Sequence, residues 1–221
     1  MMMKNLRLSG GWMSVLVCLF FLQTAKAASP PNWYDVASHA KLVVNKAKTP
    51  AVKYELQKFQ SKKISLGSHH LQLVTANFGA GKVASENDYS ISEIFSDPPE
   101  SAKPLFQLID KNNCDAKVVD EVSVKKLGFV ADVGVYFTQV KLISPHCVHS
   151  EILNPKIFMV IQEKKKSLEK VYESSIANDG KYVVNFENKM VRLDYTKGLE
   201  TKSTQVSLSW DEKSESFTEQ P

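Results

Sequence analysis

Apolar residues recur at every second position from Lys62 onward, in short runs that are separated by turn-forming residues. Side chains of a strand alternate between its two faces, so this period predicts half-buried β-strands. Their even spacing favours an antiparallel sheet, a sandwich or a barrel-like meander over a parallel fold. The predicted strands include residues 71–78, 118–124, 129–143, 157–161, 168–176, 182–186, 190–195 and 205–210.

A different period precedes the strands. Apolar residues at positions 33, 36, 37, 40, 43, 44 and 47 follow the three-and-four spacing of a helix face. Asn32 is a candidate N-cap and Pro50 a stop signal, which predicts a helix over about 32–48. Residues 51–60 are ambiguous between helix and strand. The predicted class is mainly β (α+β), with an N-terminal helix followed by antiparallel strands.

The first 27 residues have the three parts of a secretory signal peptide. Lys4 and Arg7 supply a positive start, and an apolar run over 15–22 follows. Ala25-Lys26-Ala27 matches the small-x-small cleavage site, which places the cut before Ala28. A retained transmembrane helix would need about 20 apolar residues, and this run is shorter. We therefore expect export to the periplasm or the medium, and one globular domain over 28–221 that is β-rich over 62–219.

Removal of the leader changes the charge balance. The chain has 28 Lys and Arg against 24 Asp and Glu, and three of the basic residues lie in the leader. The mature chain is thus nearly neutral and retains a single arginine, Arg192. Nucleic-acid binding depends on many Lys and Arg contacts to phosphate, so nucleic acid is not an expected partner. No other apolar run is long enough to span a membrane.

Two cysteines, Cys114 and Cys147, remain after cleavage. A cysteine pair in an exported protein most often forms a disulfide. The bridge would close a loop of about 33 residues. On the chain-entropy model, this closure would stabilise the folded protein by roughly 3–4 kcal/mol. The alternative is two free thiols, one of which acts as a metal ligand or nucleophile.

The densest group of chemistry-bearing residues surrounds Cys147. His146, His149 and Glu151 flank it and resemble a metal-binding loop in composition, with His69 or His70 as a distant partner. A disulfide at Cys147 removes its thiolate from any such site. A solvated loop beside a structural disulfide is therefore the favoured interpretation, and no cofactor is expected.

A glycine-rich segment begins at Gly79 and includes Lys82. It lacks the glycine and the Ser/Thr that a phosphate-binding loop requires, so we predict an ordinary loop. The chain also has no Gly-x-Ser-x-Gly turn. The two loops over 79–87 and 144–154 are the expected binding surfaces, with Lys82, Asn87 and His149 as candidate contact residues.

These observations favour a binding protein over an enzyme. The first hypothesis is an exported module that binds a protein or a cell-envelope component, of the inhibitor, immunity or scaffold type. The second is a metal- or thiol-dependent enzyme centred on His146, Cys147 and His149. The third is a carrier that holds a small apolar ligand inside a barrel.

The disulfide hypothesis predicts the result of a thiol count. Under native and denaturing conditions alike, Cys114 and Cys147 of the exported protein should be unreactive to a thiol reagent until a reductant is added. Two reactive thiols in the native protein would contradict the bridge and favour the enzyme hypothesis.

Overall fold

A computed structural model describes residues 29–81, 88–97, 103–111, 117–144, 155–164, 167–176, 180–196 and 203–220. The chain forms one helix, α1 (Val36–Ala47), and twelve strands within these ranges. The prediction of a mainly β fold with an N-terminal helix is confirmed. No helix in the described part of the chain has the length and hydropathy to cross a bilayer.

The strands form three consecutive four-stranded antiparallel meanders, which are not closed into a barrel. The N-terminal sheet contains β1 (Glu55–Leu66), β2 (His69–Gly79), β3 (Tyr89–Asp97) and β4 (Phe106–Lys111). The central sheet contains β5 (Val118–Val130), β6 (Val133–Ile143), β7 (Lys156–Lys164) and β8 (Ser167–Ile176). The C-terminal sheet contains β9 (Tyr182–Glu187), β10 (Met190–Thr196), β11 (Ser203–Asp211) and β12 (Ser216–Glu219).

The helix begins three residues later than the candidate N-cap Asn32 predicts. Asp35 is the actual N-cap, and its side chain accepts hydrogen bonds from the backbone nitrogens of Ala37 and Ser38 at 3.0 and 3.1 Å. The helix ends at Lys48, which has a left-handed φ of 55°. The ambiguous segment 51–60 enters β1 at Glu55, so its second part is strand and residues 51–54 connect the helix to it.

Three hydrophobic clusters separate four layers. The first joins α1 to the outer face of the N-terminal sheet and includes Val43, Val74 and Phe78. The second joins the inner face of that sheet to the central sheet. The third joins the other face of the central sheet to the C-terminal sheet. Apolar residues therefore alternate between two cores along β2, where Leu71 and Val74 face opposite ways.

The central sheet is buried on both faces. β6 and β7 are accordingly almost continuously buried, with Val135 and Met159 fully enclosed on opposite faces. The C-terminal sheet has one buried face, so its strands show clear alternation. The order of layers is thus helix, sheet, sheet, sheet.

Two adjacent side chains of β7 attach the central sheet to both neighbours. Glu163 accepts hydrogen bonds from the Ser68 hydroxyl at 2.6 Å, the Ser68 backbone nitrogen at 3.0 Å and the Tyr136 hydroxyl at 2.5 Å. Gln162 points the other way, and its carbonyl oxygen accepts from the backbone nitrogen of Phe217 in β12 at 3.3 Å. Because successive side chains of a strand alternate, one dipeptide contacts both outer sheets.

The space around Glu163 requires glycine at two positions, one in the turn between β1 and β2 and one in β6. Gly67 has a left-handed φ of 57°, and an added Cβ would lie 1.9 Å from the Tyr136 hydroxyl oxygen. At Gly134 an added Cβ would lie 2.7 Å from a carboxylate oxygen of Glu163. Burial and then the hydrogen bond to Glu163 raise the pKa of Tyr136, so its hydroxyl stays a donor.

Replacing Glu163 with a nearly isosteric apolar residue should destabilise the protein. We expect Glu163→Met to lower the free energy of unfolding by about 2–4 kcal/mol, because the Tyr136 hydroxyl and the Ser68 nitrogen lose their acceptor. Urea denaturation followed by circular dichroism measures this loss. The control is Glu212→Met, which removes an exposed ion pair with Lys189 and should leave the midpoint unchanged. Equal midpoints for the two variants would contradict a stabilising role of the Glu163 hydrogen bonds to Ser68 and Tyr136, which we call the clamp.

Candidate functional site

The residues that the sequence singles out lie outside the described part of the chain. This applies to both predicted disulfide cysteines, to the candidate metal ligands and to the candidate contact residues, namely Cys114, Cys147, His146, His149, Glu151, Lys82 and Asn87. The disulfide, the metal site and the loop contacts therefore stay predictions. Within the described ranges, no group of three or more His, Cys, Asp or Glu side chains has an arrangement that could hold a metal ion.

The two histidines proposed as distant metal partners lie at the start of β2. His69 is partly buried, and its Nε2 lies 3.8 Å from a carboxylate oxygen of Glu163. His70 is exposed, in agreement with the opposite orientation expected of neighbours in a strand. His69 thus belongs to the clamp between the N-terminal and central sheets.

The strongest candidate for a binding site is an apolar groove between α1 and the segment that leads into β1. It has a volume of about 680 Å³. One wall is a stripe of α1, and the other is the chain from Pro50 to Leu56. Apolar side chains dominate the lining: Val36, Ala37, Ala40, Val44, Pro50, Ala51, Val52 and Leu56.

A second cleft, of about 530 Å³, adjoins the groove. The two share Lys53, Glu55 and Leu56 as a common wall. The rest of the second cleft is polar and consists of Gln57 and the backbone of residues 79–81. We call the first, apolar site the groove and the second site the polar cleft.

The floor of the polar cleft depends on Gly79. The amide nitrogen of Gln57 donates to the carbonyl oxygen of Gly81 at 2.8 Å, so its side chain lies across Gly79. An added Cβ at Gly79 would lie only 1.7 Å from that nitrogen. Any larger residue there would displace Gln57. Residues 79–81 are the described beginning of the glycine-rich segment that the sequence indicates as a binding loop.

Charged side chains lie along the shared wall and the helix. Lys53 and Glu55 form an exposed ion pair at 2.7 Å, which raises the pKa of Lys53 and lowers the pKa of Glu55. Lys41 lines the groove from α1, is exposed and has no ion-pair partner among the described residues. The uncompensated charge at the groove is therefore positive.

A buried polar group holds α1 on the sheet. His39 donates from Nδ1 to the carbonyl oxygen of Asp35 at 2.6 Å, and its Nε2 lies 3.1 and 3.0 Å from the two carboxylate oxygens of Glu93. Glu93 is fully buried and also accepts from the amide of Gln107 at 2.6 Å. The Tyr34 ring stacks on His39 with centroids 4.0 Å apart.

The partners of His39 determine its charge. Burial alone lowers the pKa of His39, but its hydrogen bonds to Glu93 and Asp35 and the negative charge of both residues outweigh burial, so its pKa is raised. Both ring nitrogens face acceptors, which favours the imidazolium form. Burial and the nearby Glu93 raise the pKa of the Tyr34 hydroxyl. A buried ion pair thus links the helix to β3.

Neither the groove nor the His39–Glu93 pair is predicted from the sequence. One signal was available: Glu93 is a lone carboxylate inside the apolar run from Ile91 to Phe95, where an unpaired charge would be costly. Nothing in the sequence indicates His39 as its partner, since 54 residues separate the two.

Comparisons of the chain with protein-family models, with curated proteins and with solved structures give no significant match. Functional inference therefore depends on the geometry of the described residues.

The raised pKa of His39 predicts how stability depends on pH. A group whose pKa is higher in the folded state adds stability that is complete below its unfolded pKa, about 6.5, and that is lost as pH rises through the folded pKa. The free energy of unfolding should therefore fall as pH rises from about 6.5 through the folded-state pKa of His39. Urea denaturation across this range measures the slope.

His39→Gln provides the comparison for that slope, because glutamine donates to Glu93 without titrating. The variant should lose the part of the pH dependence that comes from His39. Identical slopes in the wild type and His39→Gln would contradict a charged His39.

Proposed function

We propose that this protein is an exported, non-catalytic binding protein that takes an amphiphilic component of the cell envelope. The apolar chain of the ligand lies in the groove and its polar head lies in the polar cleft. Export is the expectation from the leader sequence. The observation that carries the proposal is that an apolar groove and a polar cleft share one wall.

The size and lining of the groove support an apolar chain as ligand. Sites for small ligands are concave, mostly apolar and about 300–1,000 Å³ in volume, and the groove of about 680 Å³ lies within this range. Val36, Val44 and Val52 remain only partly buried in the protein alone. A bound chain would remove their remaining apolar surface from water, at roughly 25 cal/mol per Å².

The charges support an anionic head. Lys41, which lines the groove, has no ion-pair partner in the described part of the chain, and the ion pair of Lys53 with Glu55 stands where the groove meets the polar cleft. The net charge of these three side chains is positive. Gln57 and the backbone of residues 79–81 supply hydrogen-bonding groups beyond it. A carboxylate or phosphate on an acyl chain satisfies these requirements.

This proposal combines two of the hypotheses from the sequence. A ligand from the envelope corresponds to the first, and a small apolar ligand corresponds to the third, although the third placed it inside a barrel. The sheets do not close, so the binding surface proposed here is the outer side of the N-terminal sheet.

Filling the groove should abolish binding of an amphiphile. We expect Ala37→Trp to weaken binding of a fluorescent long-chain fatty acid at least about tenfold, because the indole occupies the space of the chain. Ala37 is exposed and lines the groove, so the substitution leaves the core intact. Fluorescence titration gives the dissociation constants.

Leu42→Trp is the matched control, since Leu42 is a partly exposed residue of the same helix that does not line the groove. It should bind the fatty acid like the wild type. Lys41→Glu should weaken the binding of the fatty acid but not the binding of the corresponding fatty alcohol, which carries no charge. Absence of any binding to the wild type, or equal binding by Ala37→Trp, would overturn the proposal.

A further inference from the structure

Within the described ranges the three sheets have six edge strands, and most of these carry features that prevent pairing with another strand. β1, β5 and β8 have register shifts that interrupt their ladders. β12 has only four residues. At the end of β4, the Asp110 carboxylate accepts from the backbone nitrogen of Lys117, where the chain leads into β5.

β9 lacks these features. Its register with β10 is continuous, and Tyr182–Glu187 contains no lysine, proline or bulge. Val183 is 54% exposed and Tyr182 is 37% exposed. An exposed edge with a continuous register and few charges is a ready template for another strand.

The hydrogen-bonding groups of β9 alternate between its partner and the open edge. The carbonyl oxygen of Lys181 accepts a hydrogen bond from the backbone nitrogen of Thr196, the last residue of β10. Because Tyr182 pairs with Tyr195, Lys181 lies opposite Thr196 in the same register. In an antiparallel ladder every second residue bonds to the same neighbour, so Lys181, Val183 and Asn185 face β10. The backbone groups of Tyr182, Val184 and Phe186 therefore face outward, and no strand pairs with them in the described part of the chain.

There is space beside this edge. A separate cavity of about 480 Å³ lies between β9 and β5 and is lined by residues 123–125 of β5 and 182–185 of β9. The neighbouring edges of the central and C-terminal sheets thus leave room for the side chains of an added strand.

We propose that two copies of this protein pair through β9, antiparallel and across a two-fold axis at Val184. In this register Tyr182 of one copy lies opposite Phe186 of the other, and Val184 lies opposite Val184. All three are outward-bonding positions, so the ladder hydrogen bonds form without a shift. The two C-terminal sheets then make one eight-stranded sheet.

Charge complementarity selects this partner. In the same register Lys181 of each copy lies opposite Glu187 of the other, at both ends of the paired segment. Both side chains are exposed and form no ion pair within the described part of the chain. Aromatic pairs and opposite charges directly across an antiparallel pair are each stabilising. A two-fold interface uses the same patch twice, which this self-complementary strand allows.

Charge exchange tests the pairing. The protein produced from its full-length gene should sediment as a dimer in equilibrium with monomer at micromolar concentration. Lys181→Glu and Glu187→Lys alone should each weaken the dimer roughly tenfold, because each places like charges at both ends of the interface. The double variant K181E/E187K should restore the dissociation constant to within about threefold of the wild-type value.

The control for Lys181→Glu is Lys213→Glu, which makes the same change of net charge at an exposed position in the turn between β11 and β12. It should leave the dimer unchanged. A wild-type protein that is monomeric up to 100 μM, roughly the range of weak association, would overturn the proposal and leave the edge to a strand of another protein. Failure of the double variant to restore pairing would overturn it equally.

Discussion

The central sheet is covered on both faces, and the stack depends on how its third strand is attached to the layers on either side. Gln162 and Glu163 are adjacent in β7 but contact different sheets, the former at β12 and the latter at the turn between β1 and β2. Their polar atoms lie at depths where an unsatisfied group costs about 1–3 kcal/mol. Hydrogen bonds in both directions therefore orient the three sheets, while apolar contacts supply most of the stabilisation.

The helix extends this arrangement by one layer and defines the proposed binding site. Its apolar stripe is shared between the core and the groove: Val43 is fully buried, whereas Val44 faces the groove and is only partly covered. The ion pair between His39 and Glu93 attaches the helix to β3. The same helix therefore contributes both to the core and to one wall of the groove.

Much of the fold follows from local patterns in the chain. The apolar spacing of α1 and its end near Lys48 are correctly predicted, because both depend on residues close in sequence. The start is displaced because Asp35 competes with Asn32 as N-cap and has two backbone nitrogens within reach. The groove and the polar cleft are not predictable in this way, since their walls come from α1, β1 and the end of β2.

The class of fold follows from the amino-acid sequence alone, since period-two and helical patterns are properties of neighbouring residues. It also placed a carboxylate at position 93 and a polar pair at 162 and 163 without indicating their partners. Three features appear only in the folded protein: the central sheet is buried on both faces, Glu93 pairs with His39, and no described strand pairs with the outer edge of β9. These outcomes depend on contacts between residues tens of positions apart, and such contacts form only when complete faces are buried together.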